Sequence, residues 1–143
     1  MKKIIVVIIL LVLTIDAFNQ ELTQKEIKLF CNKFATYISN GDMNNALSYI
    51  DEESRIQQHD NFLKGNTEQF FSELLSGVTK NGKFYSPDIK EIKKMKTLKV
   101  FSIDKGFAEV LFKITLTDGG TIKTTLTLNV NSKEEMVIIS PVG

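Results

Sequence analysis

The sequence predicts an α+β domain in which helices come first and an antiparallel sheet follows. Three observations carry this. Through the first half of the chain apolar side chains recur three and four apart, the period of a helix face. From Ser86 onward they alternate with polar ones, the period of a half-buried strand. Gly, Asp and Asn stand at the change points, where caps and turns need them. With 143 residues, 43% of them apolar and 24% charged, the chain has material for one core and no disordered composition.

The N-terminus "MKKIIVVIILLVLTIDAFNQ" has two lysines, an unbroken apolar run from Ile4 to Leu13, and a polar, small-residue region. That order of parts is a secretory signal peptide, expected over residues 1–19. A spanning helix needs about 20 apolar residues, so no stable membrane span is expected after cleavage. The folded domain is expected over 20–143, exported to the periplasm or beyond.

Cys31 is the single cysteine, which excludes an internal disulfide, and it falls on a helical stripe as a small buried residue. Removing residues 1–19 takes away Lys2, Lys3 and Asp16 and leaves 16 basic against 16 acidic residues. A neutral domain has no global attraction for nucleic acid or anionic membrane, although local patches stay open.

The first helix is expected over Glu21 to Asn40, with Ile27, Phe30, Cys31, Phe34, Tyr37 and Ile38 on one stripe and Gly41 as its stop. Asp42 can cap a shorter helix whose face is Met43, Ala46, Leu47 and Ile50, ending near "DEES". A polar connector, "RIQQHDN", follows. The third helix has Asn66 or Thr67 as cap, Gln69 at the capping-box position, Phe70, Phe71, Leu74 and Leu75 as its face, and Gly77 as closure.

Residues Ala108 to Leu116 and Ile122 to Val130 alternate cleanly on either side of Asp118-Gly119-Gly120, which predicts a hairpin with positive-φ turn residues. A strand across Ile89 to Ile103 precedes it and another, Met136 to Ser140, follows. In the earlier strand Leu98 and Val100 lie on one parity and Phe101 and Ile103 on the other. A bulge or bend near Val100 would reconcile them.

A long helix ending in Gly-Asp, the short helix "MNNALSYI", the polar connector, the "KGNTEQFF" turn into a third helix and the bent strands together resemble the nuclear transport factor 2-like superfamily, which includes SnoaL-like proteins. The resemblance covers the whole mature chain. It implies a cone-shaped, cystatin-like α+β fold, with N-terminal helices packed on a bent antiparallel sheet of about four strands around a cavity. Some members use that cavity as an active site for isomerisation or dehydration. Others bind ligands there or pair through the outer sheet face. Fold alone does not assign function.

The material for chemistry is sparse. His59, the only histidine, could act as a general base with Asp51 or Tyr49 in the pocket. The competing expectation is a solvated histidine on the connector, where a strand would turn His59 and Asp60 to opposite faces. Tyr37, Tyr49, His59, Phe70 and Phe112 are the candidate ligand-lining residues, against the plain alternative that phenylalanines at such spacing are core. Asp51, Glu52 and Glu53 lack the loop frame of a calcium site, and one His with one Cys cannot complete a zinc site, so neither metal nor cofactor is expected. Lys90, Lys93, Lys94, Lys96 and Lys99 read as an exposed strand protected against edge pairing, with anion binding as the alternative.

The expectation is therefore an exported, noncatalytic domain that binds a small hydrophobic or mixed-polarity ligand or a protein partner. A small isomerase, dehydratase or hydrolase based on His59 is the second reading. A homodimer assembled through the outer face "TIKTTLTLN" is the third.

Overall fold

The computed structural model describes residues 22–140, so the expected signal segment, residues 1–19, lies outside the described residues. Helix α1, Gln24–Ser39, begins at Thr23. The Thr23 hydroxyl accepts from Glu26 N at 3.2 Å, and the Thr23 amide donates to the Glu26 carboxylate at 3.1 Å, a reciprocal capping box. The bond from the Thr23 amide, joined by one that the Thr23 hydroxyl donates to the same carboxylate at 2.9 Å, holds the Glu26 carboxyl below its ordinary pKa. Gly41, with φ at 72°, leaves the helix through the left-handed region that glycine enters without strain. Asp42 then caps α2, Met43–Leu47, accepting from Asn45 N at 3.2 Å.

Helix α2 ends at Leu47, short of "DEES", so Ile50 is not on its face but bridges Ile138, and "DEES" starts helical structure instead of ending it. Asp51 caps a further turn, α3, Glu52–Ser54, which runs into a π-helical segment, Arg55–Phe62. The expected polar connector is thus a wide helix, and residues five apart become neighbours on it: Arg55 Nη1 donates to Asp60 Oδ2 at 3.2 Å. Helix α4, Thr67–Leu74, is capped by Asn66, which accepts from Gln69 N at 3.1 Å. Gln69 does not return the bond; its amide turns to Glu73. Gly77 does not close this helix either, because it opens a strand.

That strand is β1, Gly77–Thr79, followed by β2, Phe84–Tyr85; a 3-10 turn at Ile89–Glu91 leads into β3, Ile92–Asp104. Strands β4, Phe107–Leu116, β5, Thr121–Val130, and β6, Met136–Ile139, complete a six-stranded sheet among the described residues, against the four or so expected. The difference is β1 and β2, too short to show an alternation. Sheet order is β2-β1-β5-β4-β3, and β6 shares an edge of β5 with β1. At the β4–β5 turn only Gly119, φ 88°, has a positive angle; Gly120 donates its amide to Asp118 Oδ1 at 2.7 Å instead.

Edge strand β3 slips register against β4 three times, and two of the slips flank Val100, so Leu98 and Phe101 are extra residues. The bulges do not bring both parities into the core. Val100 is buried, whereas Leu98, Phe101 and Ile103 are exposed. Bulges and lysines together blunt an edge that would otherwise template another strand.

The core lies between the helices and one sheet face. Ile27, Cys31, Phe34, Ala35 and Ile38 of α1 and Phe70, Phe71 and Leu74 of α4 meet Met95, Val110, Phe112, Ile114, Ile122, Leu126 and Leu128. Each large buried side chain contributes about 1.5–3 kcal/mol by leaving water. A hydroxyl anchors helix to sheet at one point: Ser39 Oγ donates to Ala35 O at 2.7 Å and accepts from Met95 N at 2.9 Å. Past α2 the backbone of Tyr49–Asp51 docks on β6, with Ile138 N donating to Tyr49 O and Asp51 N to Ile138 O, both at 2.8 Å. That docking brings the start of α3 to the end of β6.

Candidate functional site

Between α3 with the first π turn and the β5–β6 connection lies an open groove of about 730 Å³, a volume that suits a small ligand. Asp51, Glu52, Glu53, Ile56 and Gln57 line one wall, and Asn129, Asn131, Lys133 and Ile139 the other. Each wall has a local cause. Asp51 is held by its cap bond to Ser54 N at 3.2 Å, and Glu53 accepts from Gln57 Nε2 at 3.2 Å. Across the groove Asn131 Oδ1 accepts from the amides of Lys133 at 3.0 Å and Glu135 at 2.9 Å, which shapes the β5–β6 turn. Lys133 Nζ faces Glu52 at 4.0 Å with both side chains exposed, a pair too solvated to close the groove.

Three carboxylates against one ammonium make the groove acidic, and Ile56 and Ile139 add apolar surface. Such a lining suits a ligand with a cationic end and an apolar body.

The predicted site residues are not gathered there. Asp51 alone lines the groove. Tyr37 and Tyr49 come together with Phe30 and Phe34 in an aromatic cluster over α1, with ring centroids 4.8 Å apart for Phe30–Tyr49 and 5.7 Å for Tyr37–Tyr49. Burial, with a smaller contribution from Tyr37, pushes the Tyr49 phenol up. Phe112 is fully buried in the core and Phe70 almost so.

His59 is buried, at 7% exposure, and is not the solvated side chain expected of a connector. Helical backbone, not strand, sets its direction, so the neighbouring Asp60 reaches it: Nδ1 lies 2.6 Å from Asp60 Oδ1. Nε2 lies 2.8 Å from Thr67 Oγ1, in the first turn of α4. A carboxylate only accepts, so Nδ1 donates, and a neutral ring takes the Thr67 hydroxyl proton as acceptor. The ring edge packs on Phe70 at 5.6 Å. Both ring nitrogens are thus used in joining the π-helical segment to α4, and neither faces the groove.

Burial also pushes the Cys31 thiol up to about 12, which keeps it protonated and unreactive near neutral pH. Among the described residues no three His, Cys, Asp or Glu side chains converge as metal ligands. The groove residues that sequence reading passed over are Asn129, Asn131 and Lys133. Their one local signal is "NVNSKEE", a polar turn between strands.

No family model matches the sequence, and no curated protein matches it. Among solved structures the chain is similar to a crystal structure described as an NTF2-like transpeptidase from Campylobacter jejuni. Identity is 14% over 82% of this chain and 98% of that one, with a TM-score of 0.49.

Proposed function

We propose that this chain is an exported, noncatalytic binding domain of the nuclear transport factor 2-like kind, which captures a small amphipathic cation in the groove between α3 and the β5–β6 turn. One observation carries the reading: the groove combines carboxylates, amides and two isoleucines, while the only histidine is bonded elsewhere at both ring nitrogens. Export rests on the leader-like order of residues 1–19. Native mass spectrometry of the chain purified after export, with extraction of what it carries, tests the reading first. Titration with an alkylamine then locates the site by amide shifts. Neutralising Glu52 and Glu53 together (E52Q/E53Q) removes two exposed ion pairs of up to about 1 kcal/mol each, weakening binding by up to about 30-fold. Unchanged affinity in E52Q/E53Q, or shifts confined to another surface, would sink the assignment.

A second reading has its own observation. Asp60, His59 and Thr67 are linked as acid, imidazole and hydroxyl, the connectivity of a hydrolase triad. None of the three lines the groove. Incubation with a fluorophosphonate decides: a covalent adduct on Thr67 establishes the hydrolase reading, and an unmodified mass removes it.

A further inference from the structure

Directly opposed residues in an antiparallel pair project from the same face of a sheet. Following the register from edge to edge, Lys96 opposes Lys113, Lys113 opposes Lys123, Lys123 opposes Val78, and Val78 opposes Phe84. One row across five strands therefore reads lysine, lysine, lysine, valine, phenylalanine, on the face away from the helices. With strands about 4.8 Å apart the row is about 19 Å long. All five side chains are exposed, Phe84 at 74%.

Like charges directly opposite one another destabilise a sheet, and this row stacks three. Lys94, opposite Thr115, and Lys99, opposite Leu111, lie on the same face. Five lysines there meet two carboxylates, Glu109 and, opposite Phe107, Asp104, and among the described residues none of the five is in an ion pair. A domain that is neutral as a whole thus concentrates about three positive charges on one open surface. Phe107, half exposed and opposite Asn129, adds a second aromatic to that face.

We propose that the outer sheet face docks on an anionic lipid bilayer. The lysines supply attraction to phosphate headgroups, and their stems lie along the surface while Val78, Phe84 and Phe107 enter the headgroup boundary. The apolar residues at the end of the lysine row favour a bilayer over a purely aqueous polyanion. A two-fold pairing of this face with a second copy would set lysines against lysines. None of these lysines, nor Val78, Phe84 or Phe107, lines the groove between α3 and the β5–β6 turn.

The test is flotation of the chain, purified after export, with vesicles of phosphatidylglycerol and phosphatidylcholine in equal parts and with phosphatidylcholine alone. Binding is expected to the anionic vesicles only and to fade between about 0.05 M and 0.5 M salt, because screening shortens the reach of the lysines. Reversing the central charge, Lys113→Glu, should weaken binding by about 10- to 30-fold. It should also leave the melting temperature equal or higher, since a carboxylate then sits between Lys96 and Lys123. Lys113→Arg should bind as the parent does, and Phe84→Ser should weaken binding without altering the salt slope. Equal binding to neutral vesicles would assign the attachment to a retained apolar leader and overturn the proposal. So would undiminished binding by K113E, self-association through this face in sedimentation, or capture by heparin with no vesicle binding.

Discussion

Replacing His59 with alanine separates a structural ring from a catalytic one. The substitution removes bonds of 2.6 Å to Asp60 and 2.8 Å to Thr67 and the edge contact with Phe70 at 5.6 Å. Two hydrogen bonds at about 1 kcal/mol each and an aromatic contact of about 0.5–1.5 kcal/mol give a loss of about 2.5–3.5 kcal/mol. The void left by a ring this buried adds to that. With a urea slope of about 1–3 kcal/mol/M for a small domain, the unfolding midpoint should fall by about 1–3 M. A cycle with Thr67→Val sharpens the reading, because both single changes break one shared bond. The double variant should cost about 1 kcal/mol less than the two singles together. A midpoint within error of the parent and no coupling to Thr67 would refute the reasoning. Loss of groove ligand at an unchanged midpoint would refute it too, since the ring does not touch the groove.

Two further outcomes are expected. Gly77→Ala places a β-carbon against the Lys123 carbonyl oxygen, 2.8 Å from its carbonyl carbon and 2.9 Å from Ile122 Cγ2, so β1 must shift off β5. A loss of about 1–3 kcal/mol should appear in thermal melts, and an unchanged melt would contradict the packing of β1. Cys31 should resist iodoacetamide in the folded protein at neutral pH. The folded thiol keeps its proton up to about 12 while the unfolded one releases it from about 9, so the stability it confers is complete below about 9 and is lost as pH rises through about 12. Urea midpoints of parent and Cys31→Ala should therefore draw together along that alkaline limb; a constant difference would refute the burial argument.

Much of the local structure was legible because its causes are local. Asp42 and Asn66 cap the helices that follow them through bonds that reach only three residues ahead. Asp118 and Gly119 form the hairpin turn within a few residues, and the alternation of β4 and β5 places Phe112 and Ile122 inside. Where reading failed, a longer-range cause had won. "RIQQHDN" has the composition of a connector, but it forms a π-helical segment whose His59 is anchored outside the stretch, on Thr67 of the next helix. Gly77 looks like a helix terminator until Lys123 arrives beside it. Strands β1 and β2 are too short to announce themselves and exist because β5 offers an edge.

The same division holds for the candidate sites. The acidic triplet Asp51, Glu52 and Glu53 is visible in the sequence, but its opposite wall is not. Asn129, Asn131 and Lys133 meet it only because the backbone of Tyr49–Asp51 docks on β6. The sequence by itself determined the helix faces, the caps, the long hairpin and the absence of a second histidine. Tertiary structure alone decided that His59 is buried and doubly bonded, and that Lys96, Lys113 and Lys123 stand in one row. The physical reason is that periodicity is set by neighbours within a turn or a strand, whereas register and docking are set by residues far apart in the chain.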